Sequence, residues 1–239
     1  MIEQQEMKRE VPKVDLVFCL PGNASSTLQA LSLHVVLMDL MVMGKVIGVA
    51  HSTSCNIYSV RNGCLGMHGS RRDQKPFEGR YRDYEKMIWV DSDNVITTEQ
   101  VLRLLSHDVD MVGGWYRQYS NGVINDENKA ACGLWKYGDG KNEIRPFLVG
   151  EIPSMPRDDK GLIEVDYAGF GLMAVKNGVF ESFEYPWFQS WLIEWEHEGV
   201  RMADIMTDDS GFCFRAKEKG FKVYIDPQVR LPHEKKVGV

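Results

Sequence analysis

Asp91 and Asp93 flank a single residue just beyond the apolar run Met87-Ile88-Trp89-Val90. If that run is a strand, both carboxylates leave its carboxyl end and can turn into one cleft, where they offer hard oxygen ligands to Mg²⁺ or Mn²⁺. A cation held there can bridge a diphosphate and, as a Lewis acid, neutralise the charge on a departing group. The same pair equally suits a helix cap or a solvated turn, so the chemistry depends on partners elsewhere in the chain. A second acidic pair, Asp208-Asp209, opens a segment that stops at Gly220; on a helix N-terminus such acids cap the free N–H groups and interact favourably with the helix dipole.

The elements that position these residues follow from periodicity and punctuation. Residues 14–20 read as a buried strand that stops at the turn Pro21-Gly22-Asn23, with Ser25, Ser26 and Thr27 as helix caps. Residues 28–43 are apolar around most of the circumference, as in a helix packed on a sheet, with Gly44 as its stop. A strand over 46–50, a helix over 59–67 and a charged loop over 69–84 come next, followed by a strand over 86–90. Thr97 or Thr98 caps a helix that runs through Leu105, and 110–116 is a further strand. Between 118 and 160, turn signals such as Gly138-Asp139-Gly140 and scattered aromatics predict short strands on one edge. Strands are expected over 163–167 and 172–176, separated by Gly169-Phe170-Gly171, which alone suits a bulge or tight bend. Trp187, Trp191 and Trp195 recur at helical spacing, so 187–198 is predicted helical, with its tryptophans in the core. A helix over 208–219 and a strand over 222–226 complete the chain. Strands alternating with helices imply an α/β fold with an open, mostly parallel sheet, in which ligands sit beyond the carboxyl ends of strands. Pro21-Gly22-Asn23 and Asp91-Ser92-Asp93 both fall at such ends.

Bulk properties bound the function. The 239 residues, 44% hydrophobic and 26% charged, suffice for one sizeable core. No window approaches the roughly 18–20 apolar residues of a membrane span, and residues 1–13 do not resemble a secretion signal. Cys19, Cys55, Cys64, Cys132 and Cys213 form no CxxC pair and are odd in number, which suits reduced thiols in a cytoplasm. A formal net charge of −6 argues against a broad nucleic-acid footprint, leaving one local basic run at Arg71, Arg72, Lys75, Arg80 and Arg82.

Taken in order, Asp91-Ser92-Asp93, Gly169-Phe170-Gly171, Asp208-Asp209 and His233 resemble the motifs of inverting, family 2-like glycosyltransferases of the GT-A type, over nearly the whole chain. The resemblance implies one domain over 1–239, with a nucleotide-sugar-binding half (1–117) and an acceptor half (118–239). It implies a metal site at Asp91, Asp93 and His233 for Mn²⁺ or Mg²⁺, with Asp93 the more direct ligand, and a donor diphosphate, with UDP-sugars favoured. Thr207-Asp208-Asp209-Ser210 through Gly220 matches the family segment whose second acid is the general base, which assigns that role to Asp209 beside Asp208. Leu20-Pro21-Gly22-Asn23 and Val60-Arg61-Asn62-Gly63 resemble the two pieces that close the nucleotide pocket, together with Ser92. Gly169, Phe170 and Gly171 resemble the small-residue stretch beneath the sugars. The Gln-Xaa-Xaa-Arg-Trp motif of processive synthases is missing and no membrane helix follows. The compact form is similar to glycosyltransferase-like proteins of tailed bacteriophages, which implies a host cytoplasm and a hydroxymethylated DNA base as one acceptor, with the 71–82 loop on phosphates.

Two other readings fit some of the same residues. In a haloacid-dehalogenase-like phosphohydrolase Asp91 would be the nucleophile, Asp93 the acid and Asp208-Asp209 the metal pair, but that motif normally follows the first strand and His233 would have no role. A sugar-nucleotide or glycan-binding module without turnover would have no need of a base at Asp209.

Overall fold

The computed structural model describes residues 13–22, 26–66, 71–81, 83–120, 123–124, 128–136, 143–197 and 199–232. In chain order these form β1 (Leu16–Pro21), α1 (Thr27–Val42), β2 (Ile47–Ser52), α2 (Ile57–Cys64), β3 (Lys86–Val90), α3 (Thr98–Ser106), β4 (Met111–Trp115), β5 (Tyr119–Ser120) and β6 (Val123–Ile124). There follow β7 (Lys129–Lys136), β8 (Glu143–Leu148), β9 (Ile163–Val165), β10 (Tyr167–Ala168), β11 (Leu172–Lys176), β12 (Trp191–His197), β13 (Val200–Met206), α4 (Asp208–Glu218) and β14 (Val223–Arg230).

The fold is α/β. A seven-stranded sheet runs in the order β2-β1-β3-β11-β4-β14-β9. β2, β1, β3, β4 and β14 point one way, while β11 and β9 are reversed, so the sheet is mostly parallel. Because β11 inserts between β3 and β4, strands from early and late in the sequence share this one sheet. Alternation along each strand feeds two cores. Leu16, Phe18, Ile88 and Val90 face α1 and α3, whereas Val17, Cys19, Met87 and Trp89 face α2 and α4.

Local chemistry fixes the helix starts. Ser26 accepts the Gln29 N–H at the start of α1, and Thr97 with Gln100 forms a capping box on α3. Gly44 and Gly220, at φ +84° and +90°, end α1 and α4 in the left-handed conformation that glycine adopts without a Cβ penalty. The buried Lys86 ammonium donates to the carbonyls of Leu104, Leu105 and His107, which secures the carboxyl end of α3.

Several expectations need correction. The predicted helix over 187–198 is instead the first arm of a hairpin, β12 against β13, turned at Gly199 (φ +77°). Residues four apart share a face in a strand as in a helix, so tryptophans at that spacing do not discriminate between the two structures. Nor do the tryptophans behave alike, since Trp187 is fully buried and Trp191 is exposed. The strand over 163–167 divides at Asp166: β9 joins the large sheet and β10 joins a separate sheet, β10-β7-β8. The middle of the chain therefore builds its own layer instead of extending one edge. The turn at 138–140 lies outside the described residues. Finally, α1 buries only Gln29, Val36 and Leu40 and turns most of its apolar side chains outward.

Candidate active site

The carboxyl ends of β1 and β3 and the start of α4 meet at one place. Gly22, just past β1, sits at φ +136° with Ser92 so close that a Cβ would lie 2.9 Å from its Oγ. The Gly22 N–H donates to the Ser52 carbonyl at 3.1 Å, and Pro21 is the buried last residue of β1. Asp91 follows β3 directly, and its N–H donates to the Gly171 carbonyl at 3.2 Å, which anchors the Asp91-Ser92-Asp93 turn to β11.

Arg61 is the centre of the site. Its guanidinium lies 3.2 Å from Asp91 Oδ1 and 3.3 Å from Asp91 Oδ2, and its Nε donates to Asp208 Oδ2. One buried cation thus joins two acidic motifs that are far apart in sequence. Its Cζ also lies 5.7 Å from the ring centre of Trp89, 5.2 Å from that of Phe170 and 5.7 Å from that of Phe188, so aromatic faces cover what the carboxylates do not. Burial alone would lower the Arg61 pKa, but Asp91, Asp208 and Asp209 outweigh it and hold the guanidinium charged. Its Nη1 is buried with no hydrogen-bond partner among the described residues.

The acids around Arg61 differ. Burial pushes the Asp91 carboxyl up; Arg61 opposes the rise, while Asp93 and Asp208 add to it. Asp209 is pushed up to about 6 by burial and then by the neighbouring Asp208, against the opposing effects of Arg61, the Thr207 hydroxyl and the Ser210 N–H. Thr207 Oγ1 and Ser210 N both donate to Asp209 Oδ1, at 2.6 and 2.8 Å, and Oδ2 accepts no hydrogen bond among the described residues. Asp209 is thus a half-buried carboxylate, oriented through one oxygen and open at the other, that titrates near neutrality.

The remaining predicted residues fall in three groups. The Asn62 side chain is occupied by backbone: it donates to the Tyr58 and Phe188 carbonyls at 2.8 and 2.7 Å and accepts the Phe188 N–H at 3.1 Å. It clamps the 188 segment and offers no group to a ligand. Gly169, Phe170 and Gly171 are small or buried because of the protein's own packing. A Cβ on Gly169 would lie 2.2 Å from the Tyr116 hydroxyl and one on Gly171 2.5 Å from the Tyr116 ring, while the Phe170 side chain is fully buried against Trp89, Phe188 and Phe212. Asn23 and His233 lie outside the described residues.

Two residues that the sequence did not single out belong here. Asn94 is wholly buried, donates to Asp93 Oδ1 at 3.1 Å, and leaves its own Oδ1 without a partner. Tyr116, at the carboxyl end of β4, is buried beside Gly169 and Gly171, and its pKa is raised by burial and then by Asp91 and Asp209. The available signal was positional, since both follow strands whose carboxyl ends face this cleft.

Among the described residues no three His, Cys, Asp or Glu side chains gather into a metal cage. The donors present, Asp91 and Asp93, suit a cation bound by one or two carboxylates that completes its shell with water and substrate oxygens, the habit of Mg²⁺. The unpartnered Arg61 Nη1 and Asn94 Oδ1 are polar groups that a bound ligand could satisfy.

The basic loop lies elsewhere. A cavity of about 560 Å³, lined by Arg71, Gln74, Lys75, Tyr84 and Glu181 among others, opens at the amino end of β3, away from the aspartates. Arg71 pairs with Asp73 at 3.1 Å, Arg72 with Glu184 at 3.4 Å, and Lys75 Nζ donates to the Glu181 carbonyl, so acids interleave with this basic run. Arg82 lies outside the described residues. No helix among the described residues is long and apolar enough to cross a membrane.

No protein-family model matches the chain, and no curated protein matches it. Among solved structures it is similar to A197 from STIV, at 15% identity and a TM-score of 0.48, over 92% of this chain and 94% of that one.

Proposed function

We propose that the chain is a glycosyltransferase of the GT-A type that moves a sugar from a nucleotide-sugar donor to an acceptor hydroxyl, with Asp209 as general base. One observation carries this reading: Arg61 draws Asp91 and Asp208 onto a single guanidinium, which sets the metal-type acids of β3 beside an Asp209 that is open at Oδ2 and titrates near 6. A base poised there is largely ionised at neutral pH yet still basic enough to take a hydroxyl proton as the acceptor attacks the anomeric carbon. Asp91 and Asp93 would hold Mn²⁺ or Mg²⁺, which when bound supplies Lewis-acid stabilisation of the departing diphosphate. Asn94 and Arg61 Nη1 would meet donor atoms, and Gly22 with Ser92 would form the wall on the β1 side.

The experiment is transfer from a panel of nucleotide sugars, with UDP-sugars first and Mn²⁺ present, and the product anomer read by NMR. A product of inverted configuration is expected. A product that keeps the donor's configuration contradicts the role of Asp209 as base.

A further inference from the structure

α1 is apolar on both faces. Its inward face buries Val36 and Leu40 beside Gln29, while Leu28, Leu31, Val35, Met38 and Val42 stand 54, 58, 55, 45 and 83% exposed along one outward stripe at helical spacing. The stripe does not end with the helix. Val46 lies just beyond it, and Val49 projects from the edge strand β2 on the side of the sheet that α1 covers, the side on which Ile47 packs. Side chains of this size and exposure amount to a patch on the order of 800 Å², which is what one partner contributes to a standard interface and more than a monomer ordinarily leaves in water.

We infer that this face docks a second copy of the same chain, α1 against α1 across a twofold axis. Charge decides among occupants. α1 contains no Lys or Arg, its one acid, Asp39, accepts the Thr98 hydroxyl hydrogen bond, and His34 is the one ionisable group on the outward stripe. In an isologous pair every residue meets the same surface on its partner, so a face almost free of charge matches itself without repulsion. An anionic bilayer is disfavoured by the same composition: interfacial helices hold such membranes through Lys and Arg, whereas this chain carries a net charge of −6. The patch belongs to α1 and the β2 edge, apart from the Asp91–Arg61–Asp208 group, so the pairing does not depend on the proposed activity.

Light scattering on the full chain at micromolar concentrations tests the inference. A particle of twice 27.3 kDa is expected, dissociating on dilution. Leu31→Lys combined with Val35→Lys should halve the mass with an unchanged circular dichroism spectrum, because both side chains are exposed; Met38→Lys alone should weaken the dimer if the double variant misfolds. Ile205→Lys, on the equally exposed β13, should leave the dimer intact. A wild-type monomer throughout, a monomer that floats with lipid vesicles, or a dimer broken by Ile205→Lys but not by the α1 variants would overturn it.

Discussion

Two buried carboxylate groups lie on this sheet, and they are built differently. Asp226, in β14, is fully buried: Arg103 Nε lies 2.6 Å away as an ion pair without hydrogen-bond geometry, His107 Nε2 lies 2.9 Å away, and the Gln228 N–H donates at 2.9 Å. It ties α3 to β14 and leaves little for anything else to bind. The group around Arg61 is crowded with acids yet incomplete. Asp91 and Asp208 share one cation with Asp209 nearby, while Arg61 Nη1, Asn94 Oδ1 and Asp209 Oδ2 make no hydrogen bond among the described residues. Each network keeps a buried atom without a hydrogen-bond partner among the described residues, Arg103 Nε in one and Arg61 Nη1 in the other, so what separates them is charge: Asp226 faces Arg103 and His107 alone, whereas Asp91, Asp208 and Asp209 crowd around a single guanidinium.

Substitutions in the two groups should have different consequences. The largest effect is expected from Asp209→Asn, which keeps the shape and the Thr207 contact but removes the base; transfer should fall by about 10²–10⁴-fold while nucleotide affinity is unchanged, as read by single-turnover rates beside a binding titration. Arg61→Met should come next, with a loss of about 3–5 kcal/mol of stability in urea unfolding because two carboxylates lose their cation. That loss should shrink as pH falls, since protonation removes the buried charge. Asp226→Asn should cost about 1.5–3 kcal/mol through weakened charged hydrogen bonds, with transfer untouched. If instead it impaired transfer as severely as Asp209→Asn, the distinction between the two groups would collapse. The smallest effect is graded: with the Asp209 pKa raised to about 6, kcat/KM should be level above that pH and drop about tenfold per unit below it, as the base takes up its proton. A profile with its acid limb near 4 would remove the raised carboxyl from the mechanism.

The sequence made the strand-and-cap skeleton readable, because β3, β11 and α4 are set by local signals: an uninterrupted apolar run, glycines at the bends, and an acidic start with a glycine stop. It did not reveal what Arg61 does, since a guanidinium on a short helix looks solvated until the fold brings Asp91 and Asp208 to it. Asn62 was drawn into the nucleotide pocket by its neighbour, yet its amide is spent on the Phe188 backbone. β12 was misread because aromatic residues four apart suit both periods, and a helix apolar on nearly all sides, such as α1, carries no sign of which face points inward.

Thermal denaturation with nucleotides and nucleotide sugars, each with and without Mn²⁺, tests whether the Arg61-centred acids form the proposed metal-dependent nucleotide-sugar site. A ligand at about 100 times its Kd adds about 2.7 kcal/mol, a shift on the order of 5–10 °C for a domain of this size. Such a shift is expected for one nucleoside diphosphate only when Mn²⁺ is present, and it should be lost in Asp93→Ala. No shift with any nucleotide, or one indifferent to both Mn²⁺ and Asp93, would contradict the proposed site.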